Sequence, residues 1–251
     1  MIRLVGVGKN YGPIRALHDI SLDVAAGSVT CVLGDNGAGK STLIKIMSGL
    51  HPHTSGQFFV DDRETVFGSP REALDLGIAT VYQDLAVVPL MEVWRNFFLG
   101  SELTSSFAGM RIREMREIAD TELRKMGIAV ADINQPIGTL SGGQRQCVAI
   151  ARAVYFGARV LILDEPTAAL GVKQSGVVLK YVAAARDAGL GVVFITHNPH
   201  HAYLVGDHFV ILKLGATVLD AQRGSVTLEQ LTEQMAGGDE LRELSRDLDR
   251  P

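Results

Sequence analysis

Residues 28–49 read SVTCVLGDNGAGKSTLIKIMSG, and this stretch decides the fold. A β-rich run comes first, a glycine-rich loop follows at 34–42, and a run with helical spacing ends at Gly49. The loop fits the pattern G-x-x-x-x-G-K-S/T, in which glycines let successive backbone N–H groups point at a phosphate chain. Because a strand and a helix flank it as the pattern requires, a chance glycine-rich turn is the weaker interpretation. We predict a phosphate-binding loop in an α/β fold.

Two side chains of this loop have predicted roles. Lys40 can reach the β- and γ-phosphates of a bound nucleotide, and the Ser41 hydroxyl can bind Mg²⁺. The helix that follows adds the positive end of its dipole. The residues that we assign to phosphate binding are Gly34, Asp35, Asn36, Gly37, Ala38, Gly39, Lys40, Ser41 and Thr42.

Polar side chains follow three further apolar runs. VLILDE at 160–165 predicts a buried strand with Asp164 at its carboxyl end and Glu165 next to it. Ligands bind at that end of an open α/β sheet, so Asp164 is a candidate for the Mg²⁺ shell and Glu165 for polarising an attacking water. His197 follows VVFIT and Gln83 follows IATVY in the same way. By position alone the acidic pair could merely cap a helix, and His197 and Gln83 could be structural.

The rest of the pattern predicts the arrangement around the loop. Residues 1–33 read as strands with turns, whereas about 90–157 is almost entirely helical in pattern, as in MREIADTELRKMG. Apolar strands then return, and the hairpin HFVILKLGATVLDA precedes a last helix and a charged tail. Continuous apolar strands that alternate with helices predict a mostly parallel sheet covered on both faces. We expect an N-terminal antiparallel β subdomain and an inserted helical subdomain at about 90–157.

Composition limits the classes of function. The 251 residues carry a net charge of -4, without the basic excess of a nucleic-acid binder, so we expect no nucleic-acid partner. We find no signal peptide, and no apolar run approaches the ~18 residues of a membrane span. Cys31 and Cys147 lie in apolar runs, which predicts buried free thiols in a reducing compartment. We expect a soluble protein that could still dock onto a membrane protein.

The segment LSGGQRQ at 140–146 precedes an apolar helical run, although two glycines are a poor start for a helix. Ser141 can cap the helix or donate to a phosphate oxygen, and Gly142 and Gly143 let backbone N–H groups approach an anion closely. A glycine-rich helix start explains Ser141 but not the second glycine. Because the chain already has a phosphate loop, we interpret this segment as half of a site, completed by a second copy of the chain.

In chain order, Tyr11, GDNGAGKST, Gln83, LSGGQ, VLILDEPT and His197 resemble the ATP-binding subunit of an ABC transporter. The resemblance covers nearly the whole chain and implies a P-loop NTPase core, the ABC ATPase fold, over 1–237, with 238–251 as a charged tail. The stretch GIATVYQDLAVVPLMEVWRNFFLG is similar to subunits of monosaccharide importers of the ribose, xylose and fructose type. Because the chain has a single phosphate loop and a single signature, it resembles the single-domain members, which implies a homodimer.

The resemblance also implies roles for individual residues. Tyr11 matches the aromatic residue that stacks on adenine, and Gln83 lies where the family contacts the membrane subunit. Glu165 matches the catalytic base and His197 the switch histidine, with Gln83 also in the catalytic set. The signature residues that would face ATP are Ser141, Gly142, Gly143 and Gln144, and the Mg²⁺ ligands are Ser41, Gln83 and Asp164.

One position departs from the family pattern. After DEPTAAL the family usually has an Asp that contacts the partner across the dimer, whereas this chain has Gly171. The departure concerns the interface contact and the coupling of the two sites, and it leaves the phosphate-binding residues and the base untouched.

We therefore expect an ATPase, with ATP and Mg²⁺ as cofactors, that energises import of a monosaccharide as a nucleotide-sandwich dimer. Its partners would be integral membrane permease subunits and, indirectly, a sugar-binding protein, at the cytoplasmic face of the inner membrane. One alternative is a soluble ABC-type ATPase that is not coupled to transport. A second is a non-enzymatic ATP-gated dimerisation module, which the presence of Glu165 and His197 disfavours.

Overall fold

The computed structural model describes residues 1–105, 109–128 and 130–235. The strands are β1 (Ile2–Tyr11), β2 (Ile14–Val24), β3 (Ser28–Leu33), β4 (Ser55–Val60), β5 (Arg63–Glu64), β6 (Ile78–Val81), β7 (Thr104–Ser105), β8 (Gly109–Met110), β9 (Val160–Asp164), β10 (Gly191–Thr196), β11 (His208–Lys213) and β12 (Ala216–Gln222). The helices are α1 (Lys40–Met47), α2 (Pro70–Asp75), α3 (Val93–Phe98), α4 (Ile112–Lys125), α5 (Gly142–Tyr155), α6 (Val172–Asp187), α7 (Pro199–Val205) and α8 (Leu228–Met235), with a 3-10 turn at Ile137–Thr139. The predicted tail, 238–251, lies outside the described residues.

A six-stranded sheet forms the centre of the fold, in the order β12-β11-β3-β10-β9-β6. Every neighbouring pair is parallel except β11 and β12, which form the predicted hairpin. All six residues of β10 are buried, as expected for a central strand covered by helices on both faces. The prediction of a mostly parallel α/β core is confirmed.

The N-terminal strands form a second sheet, in the order β2-β1-β4-β5, and its pairs are antiparallel. Burial alternates along the second half of β2, where Ile20, Leu22 and Val24 are buried and Ser21 and Asp23 are exposed. One face of this sheet therefore covers the core and the other faces solvent. The predicted antiparallel β subdomain is confirmed.

The helical segment is the connection between β6 and β9, which lie side by side in the large sheet. In α4, Met115, Ala119 and Leu123 are buried at spacings of four residues, which is one stripe of a helix. The short antiparallel pair β7 and β8 also lies here, so this interval, which was expected to be almost entirely helical, contains two strands of two residues each. The segment is inserted into the core as predicted, while its bounds of about 90–157 stay a prediction.

Two expectations about single features can be compared with the structure. Cys31 and Cys147 are both buried free thiols, as predicted, and burial raises the pKa of the Cys147 thiol to about 12. Among the described residues, none of the helices has the length and apolar character needed to cross a membrane.

Candidate functional site

The candidate side chains follow neighbouring strands at one edge of the six-stranded sheet. The loop 34–42 follows β3, His197 follows β10, Glu165 follows β9, and Gln83 comes two residues after β6. The register pairs the last residue of β3 with the last residue of β10, so these strands end at the same level. Since the carboxyl ends of parallel strands share one edge, the topology itself brings the four segments together.

Two glycines of the phosphate loop occupy positions that a larger residue would strain. Gly39, the residue before α1, has φ of 106°, and a Cβ there would lie 2.8 Å from Leu17 Cδ2. Gly34 has φ of 146°, and a Cβ there would overlap the carbonyl oxygen of Leu212. Both conformations are open to glycine and costly for other residues. The loop therefore turns directly from β3 into the N-terminus of α1, where backbone N–H groups can bind an anion.

Lys40, the first residue of α1, has a buried side chain that points back over the loop. Its ammonium group donates to the carbonyl oxygen of Gly34 and, at 3.1 Å, to that of Asp35. It also lies 4.0 Å from Glu165 Oε1. These oxygens satisfy the buried charge, which would otherwise be costly to bury. The lysine is thereby placed between the phosphate loop and the acidic end of β9.

Glu165 has an unusual backbone that aims its carboxylate into the site. Its φ of 47° is left-handed, which is strained for a residue other than glycine, and its N–H donates to Ile195 O at 2.9 Å. Its Oε2 accepts a hydrogen bond from His197 Nδ1 at 2.9 Å, so that nitrogen carries the proton. The Glu165 side chain is only 11% exposed, whereas that of His197 is 59% exposed. Glu165 thus lies between a buried cation, Lys40, and an accessible histidine.

The oxygen ligands in the site fit a hard divalent cation. Ser41, Gln83 and Asp164 line the same cavity and offer hydroxyl, amide and carboxylate oxygens, which is the donor set that Mg²⁺ prefers. The pKa of Asp164 is raised, chiefly by burial and further by the neighbouring Glu165, against a lowering effect of Lys40. Because the ionised form of Asp164 is disfavoured, a cation bound next to its carboxylate would stabilise that ionised form.

A cavity of about 560 Å³ unites most of the predicted residues. Its lining includes Asp35, Asn36, Gly37, Gly39, Lys40, Ser41, Thr42, Gln83, Asp164 and Glu165. The other two loop residues, Gly34 and Ala38, line a smaller cavity of about 240 Å³ on the side of β11 and α8. The residues that our sequence reasoning missed are Ile14, Arg15, Ala16 and Leu214.

The missed residues come from the start of β2 and from the turn between β11 and β12. Gly215 of that turn donates from its N–H to Ala38 O at 2.9 Å and accepts from His18 N at 2.6 Å. The turn is thereby fixed between the phosphate loop and β2. The sequence predicted the hairpin of β11 and β12, but no local sequence pattern predicts which part of the fold the turn of a hairpin contacts.

Tyr11 lies at the end of β1, outside the lining of the large cavity. Tyr11 is 39% exposed as a residue, and its ring meets the ring of His51 edge-on, with centroids 5.8 Å apart. The Lys9 ammonium lies 5.1 Å from the centre of the Tyr11 ring, while donating to Pro52 O at 2.6 Å. These neighbours hold an aromatic ring at the surface.

The signature residues 141–144 do not line the cavity. Ser141 Oγ accepts from Gln144 N at 3.3 Å, and Gln144 Oε1 accepts from Ser141 N at 2.9 Å, which is a complete capping box. A Cβ on Gly143 would lie 3.2 Å from Gln174 Cβ and 3.3 Å from Gln174 O. Close packing of α5 against α6 therefore explains the second glycine, which our sequence reasoning had left without a local explanation.

Gly171 occupies the N-cap position of α6, with φ of -68° and ψ of 161° and no side-chain cap. A Cβ added there would meet nothing within 4 Å. Its backbone is therefore one that any residue can adopt, and neither strain nor crowding requires a glycine.

Comparison with known proteins gives the family. The model of the family described as ABC transporter matches residues 17–168. The chain is 40% identical to the xylose/arabinose import ATP-binding protein XylG of Sulfolobus acidocaldarius, over 94% of this chain and 93% of that one. It is 40% identical to the fructose import ATP-binding protein FrcA of Rhizobium meliloti, with the same coverage. The ribose import ATP-binding protein RbsA of Bacillus subtilis is 32% identical, and the match covers 48% of its length.

Solved structures agree with this result. An ATP-binding cassette of an ABC transporter in its ADP conformation has a TM-score of 0.80, with 23% identity, and the match covers 94% of each chain. A dimeric bacterial ABC transporter cassette has a TM-score of 0.74, with 27% identity, over 88% of this chain and 98% of that one. The fold is that of an ABC cassette, and the chain belongs to the ABC transporter family.

Proposed function

We propose that this chain is the ATP-hydrolysing subunit of an ABC importer for a monosaccharide. One observation carries the ATPase assignment: Lys40, Glu165 and His197 meet at one edge of the sheet, with the carboxylate 4.0 Å from the lysine and 2.9 Å from the histidine. The monosaccharide is supported by the two import ATP-binding proteins that are 40% identical over almost their whole length.

In this proposal, the residues of the site act by position and charge. The backbone N–H groups of the phosphate loop and the Lys40 ammonium bind the β- and γ-phosphates. Glu165 orients the attacking water, and His197, which donates its Nδ1 proton to Glu165, fixes the direction of the carboxylate. Ser41, Gln83 and Asp164 would hold Mg²⁺, which neutralises charge that develops on the phosphates.

We further propose that two copies sandwich two ATP molecules. The phosphate loop of one copy would face residues 141–144 of the other, and Tyr11 would stack on the adenine. Ser141 Oγ already accepts the Gln144 N–H, so its hydroxyl hydrogen stays available to donate to a phosphate oxygen. A related cassette, 27% identical, has been solved as a dimer with ADP and phosphate, which supports this arrangement.

The membrane partner would dock beside Gln83. An apolar cavity of about 310 Å³ lies there between β6 and α5, and its lining includes Tyr82, Leu85, Val148 and Phe156. Thr80 lines it as well, with a buried hydroxyl that has no hydrogen-bond partner among the described residues. We propose that an integral membrane permease subunit fills this groove, which would place the chain at the cytoplasmic face of the membrane. A sugar-binding protein would then be an indirect partner.

The segment 90–157 would act as the subdomain that joins this groove to the signature. It contains α5, which begins at the signature and continues into the groove wall through Val148 and Arg152. Arg152 also donates to Leu99 O at 2.5 Å, which ties α5 to the end of α3. A movement of the permease subunit in the groove would therefore displace α5, and with it the signature residues that face ATP.

The ATPase assignment is tested by Glu165→Gln. We expect the variant to bind ATP with unchanged affinity and to release phosphate about 10²–10⁴ times more slowly, because the carboxylate that orients water is lost. Glu64→Gln, an exposed carboxylate on β5, is the control and should hydrolyse ATP normally. Near-normal turnover by Glu165→Gln would refute the role of Glu165.

The transport assignment needs a second experiment. The tagged chain is purified from native membranes in mild detergent, with and without Leu85→Arg in the groove. Recovery of a permease with the native chain, and its loss with the variant, is expected. Recovery of the native chain without any membrane protein would favour the soluble, uncoupled ATPase.

A further inference from the structure

Arg15 is a cation in the cavity to which neither the phosphate-loop motif nor the family resemblance assigns a role. Arg15 is the second residue of β2, and its neighbours Ile14 and Ala16 also line the cavity. Its side chain is exposed, and within the described parts of the chain it forms no ion pair and no side-chain hydrogen bond. A positive side chain at the rim of an anion site, without a partner in the protein, is available to a ligand.

The register of the first sheet gives the position of the Arg15 backbone relative to Tyr11. Arg15 pairs with Asn10, and Ile14 pairs with Tyr11, so the backbone of Arg15 lies one residue along β2 from the partner of Tyr11. On its other side, Ala16 approaches the phosphate loop, since a Cβ on Gly39 would lie 3.3 Å from Ala16 O. The backbone of Arg15 therefore lies between the residue that we propose to stack on adenine and the phosphate loop, and Arg15 lines the cavity.

Charge in the cavity also favours this position for a cation. The acidic residues that line it are Asp35, Asp164 and Glu165, and Lys40 is the other basic residue. The Lys40 ammonium is held at the carbonyl oxygens of the loop and near Glu165. Of these two basic residues, Arg15 is the one without an ion-pair or side-chain hydrogen-bond partner among the described residues, so its charge is available to a triphosphate.

We propose that the Arg15 guanidinium binds the α-phosphate of the nucleotide. This inference rests on the proposed function, because it needs ATP in the cavity with its base at Tyr11. A guanidinium presents several N–H donors in one plane and forms charge-assisted hydrogen bonds to phosphate oxygens, often in pairs. The contact recognises a phosphate that ATP and ADP share, so it contributes to holding the nucleotide both before and after hydrolysis.

The test compares nucleotides that differ in their phosphates. Calorimetry measures the binding of ATP, ADP and adenosine to the native chain and to Arg15→Gln. Because adenosine binds weakly, its dissociation constant is obtained by competition with ADP. We expect the dissociation constants of ATP and ADP to rise by the same factor, about tenfold, and that of adenosine to stay unchanged. Arg15→Lys should recover part of the loss, and KM for ATP should rise more than kcat falls.

Arg63→Gln is the matched control, because Arg63 is an exposed arginine on the same sheet that does not line the cavity. It should bind all three ligands as the native chain does. A loss confined to ATP, an equal loss for adenosine, or no loss at all with Arg15→Gln would overturn the inference. Failure of the native chain to bind ATP would instead refute the proposed function, so the two failures are distinguishable.

Discussion

The chain contains two glycine-rich segments, each at the start of a helix, and the structure shows that their glycines are needed for different reasons. In the phosphate loop, Gly34 and Gly39 have φ of 146° and 106°, which other residues adopt only with strain. In the signature, Gly142 and Gly143 belong to the first turn of α5, and neither is among the glycines of positive φ. The first pair of glycines shapes the backbone, whereas in the second pair Gly143 allows close contact between α5 and Gln174 of α6.

This difference shows what a glycine pair can and cannot indicate. A phosphate site within one chain needs backbone N–H groups at a cavity. The phosphate loop lines such a cavity together with Lys40. The signature lies apart from that cavity, with Ser141 and Gln144 engaged in a capping box. Gly143 would be needed for packing against Gln174 even if no ligand came near. The claim that the signature faces ATP therefore rests on a second copy, and it has to be tested as such.

The largest expected effect comes from Gly34→Ala. The new Cβ would overlap Leu212 O and lie 2.9 Å from Ala38 Cβ, in a backbone conformation that is strained as well. We expect a loss of about 3 kcal/mol in the free energy of unfolding, measured by urea denaturation without nucleotide.

Gly37→Ala is the control for this change. Gly37 also has positive φ, at 84°, but a Cβ there would meet nothing within 4 Å. It should cost about 1 kcal/mol, from backbone strain alone. Equal losses for the two variants would mean that the overlap with Leu212 contributes nothing.

The next effect separates packing from phosphate binding in the signature. Gly143→Ala brings a Cβ against the backbone of Gln174, which cannot easily move, so we expect it to lower the free energy of unfolding by about 1–2 kcal/mol. Gly142→Ala meets only Leu170 Cδ2, the end of a flexible side chain, at 2.7 Å. It should be neutral or stabilising, because alanine is favoured over glycine in a helix by about 1 kcal/mol. If Gly143→Ala also stabilises the monomer, the packing explanation is wrong.

Asp164→Asn tests the electrostatics of the phosphate-loop side. The pKa of Asp164 is raised in the folded chain because burial disfavours its ionised form. The folded state is therefore most favoured below the pKa of an unfolded Asp, where the group is neutral, and this stability is lost as pH rises through the folded pKa. We expect the variant, which stays neutral, to unfold at a higher temperature than the native chain at pH 7 without nucleotide, and the difference to vanish in acid. Added ATP and Mg²⁺ should stabilise the native chain far more than the variant. A variant less stable than the native chain at pH 7 would contradict this account.

The smallest effect is expected at Gly171. Asp in place of Gly171 would have space and could cap α6, which should add a few tenths of a kcal/mol to the free energy of unfolding. Gly171→Ala offers no cap and serves as the control in the same thermal denaturation. An Asp variant that is less stable than the Ala variant would show that the cap does not form.

The sequence could predict those parts of the molecule that depend on local pattern. Continuous apolar runs indicated the parallel strands, and a polar residue after each run, such as Glu165 or His197, indicated the edge where the site lies. Contacts between distant segments could not be predicted. Gln174 against Gly143 and the turn at Gly215 against Ala38 depend on how elements pack, and no periodicity in the sequence records that.

The central claim is that the two glycine-rich segments complete each other across a dimer. Lys40→Ala disables the phosphate loop, and Ser141→Asp keeps an N-cap residue while placing a carboxylate where the γ-phosphate would lie. Ser141→Asn, a neutral cap, is the control for folding and should retain more activity than Ser141→Asp. Each of the two disabled variants alone should hydrolyse ATP very slowly.

The decisive measurement is phosphate release by an equimolar mixture of Lys40→Ala and Ser141→Asp. In a symmetric dimer, each mixed pair has one site with both defects and one intact site, so random pairing predicts recovery to about a quarter of native activity. A mixture no more active than the sum of its two components would contradict the claim, because it would mean that each chain completes its own site.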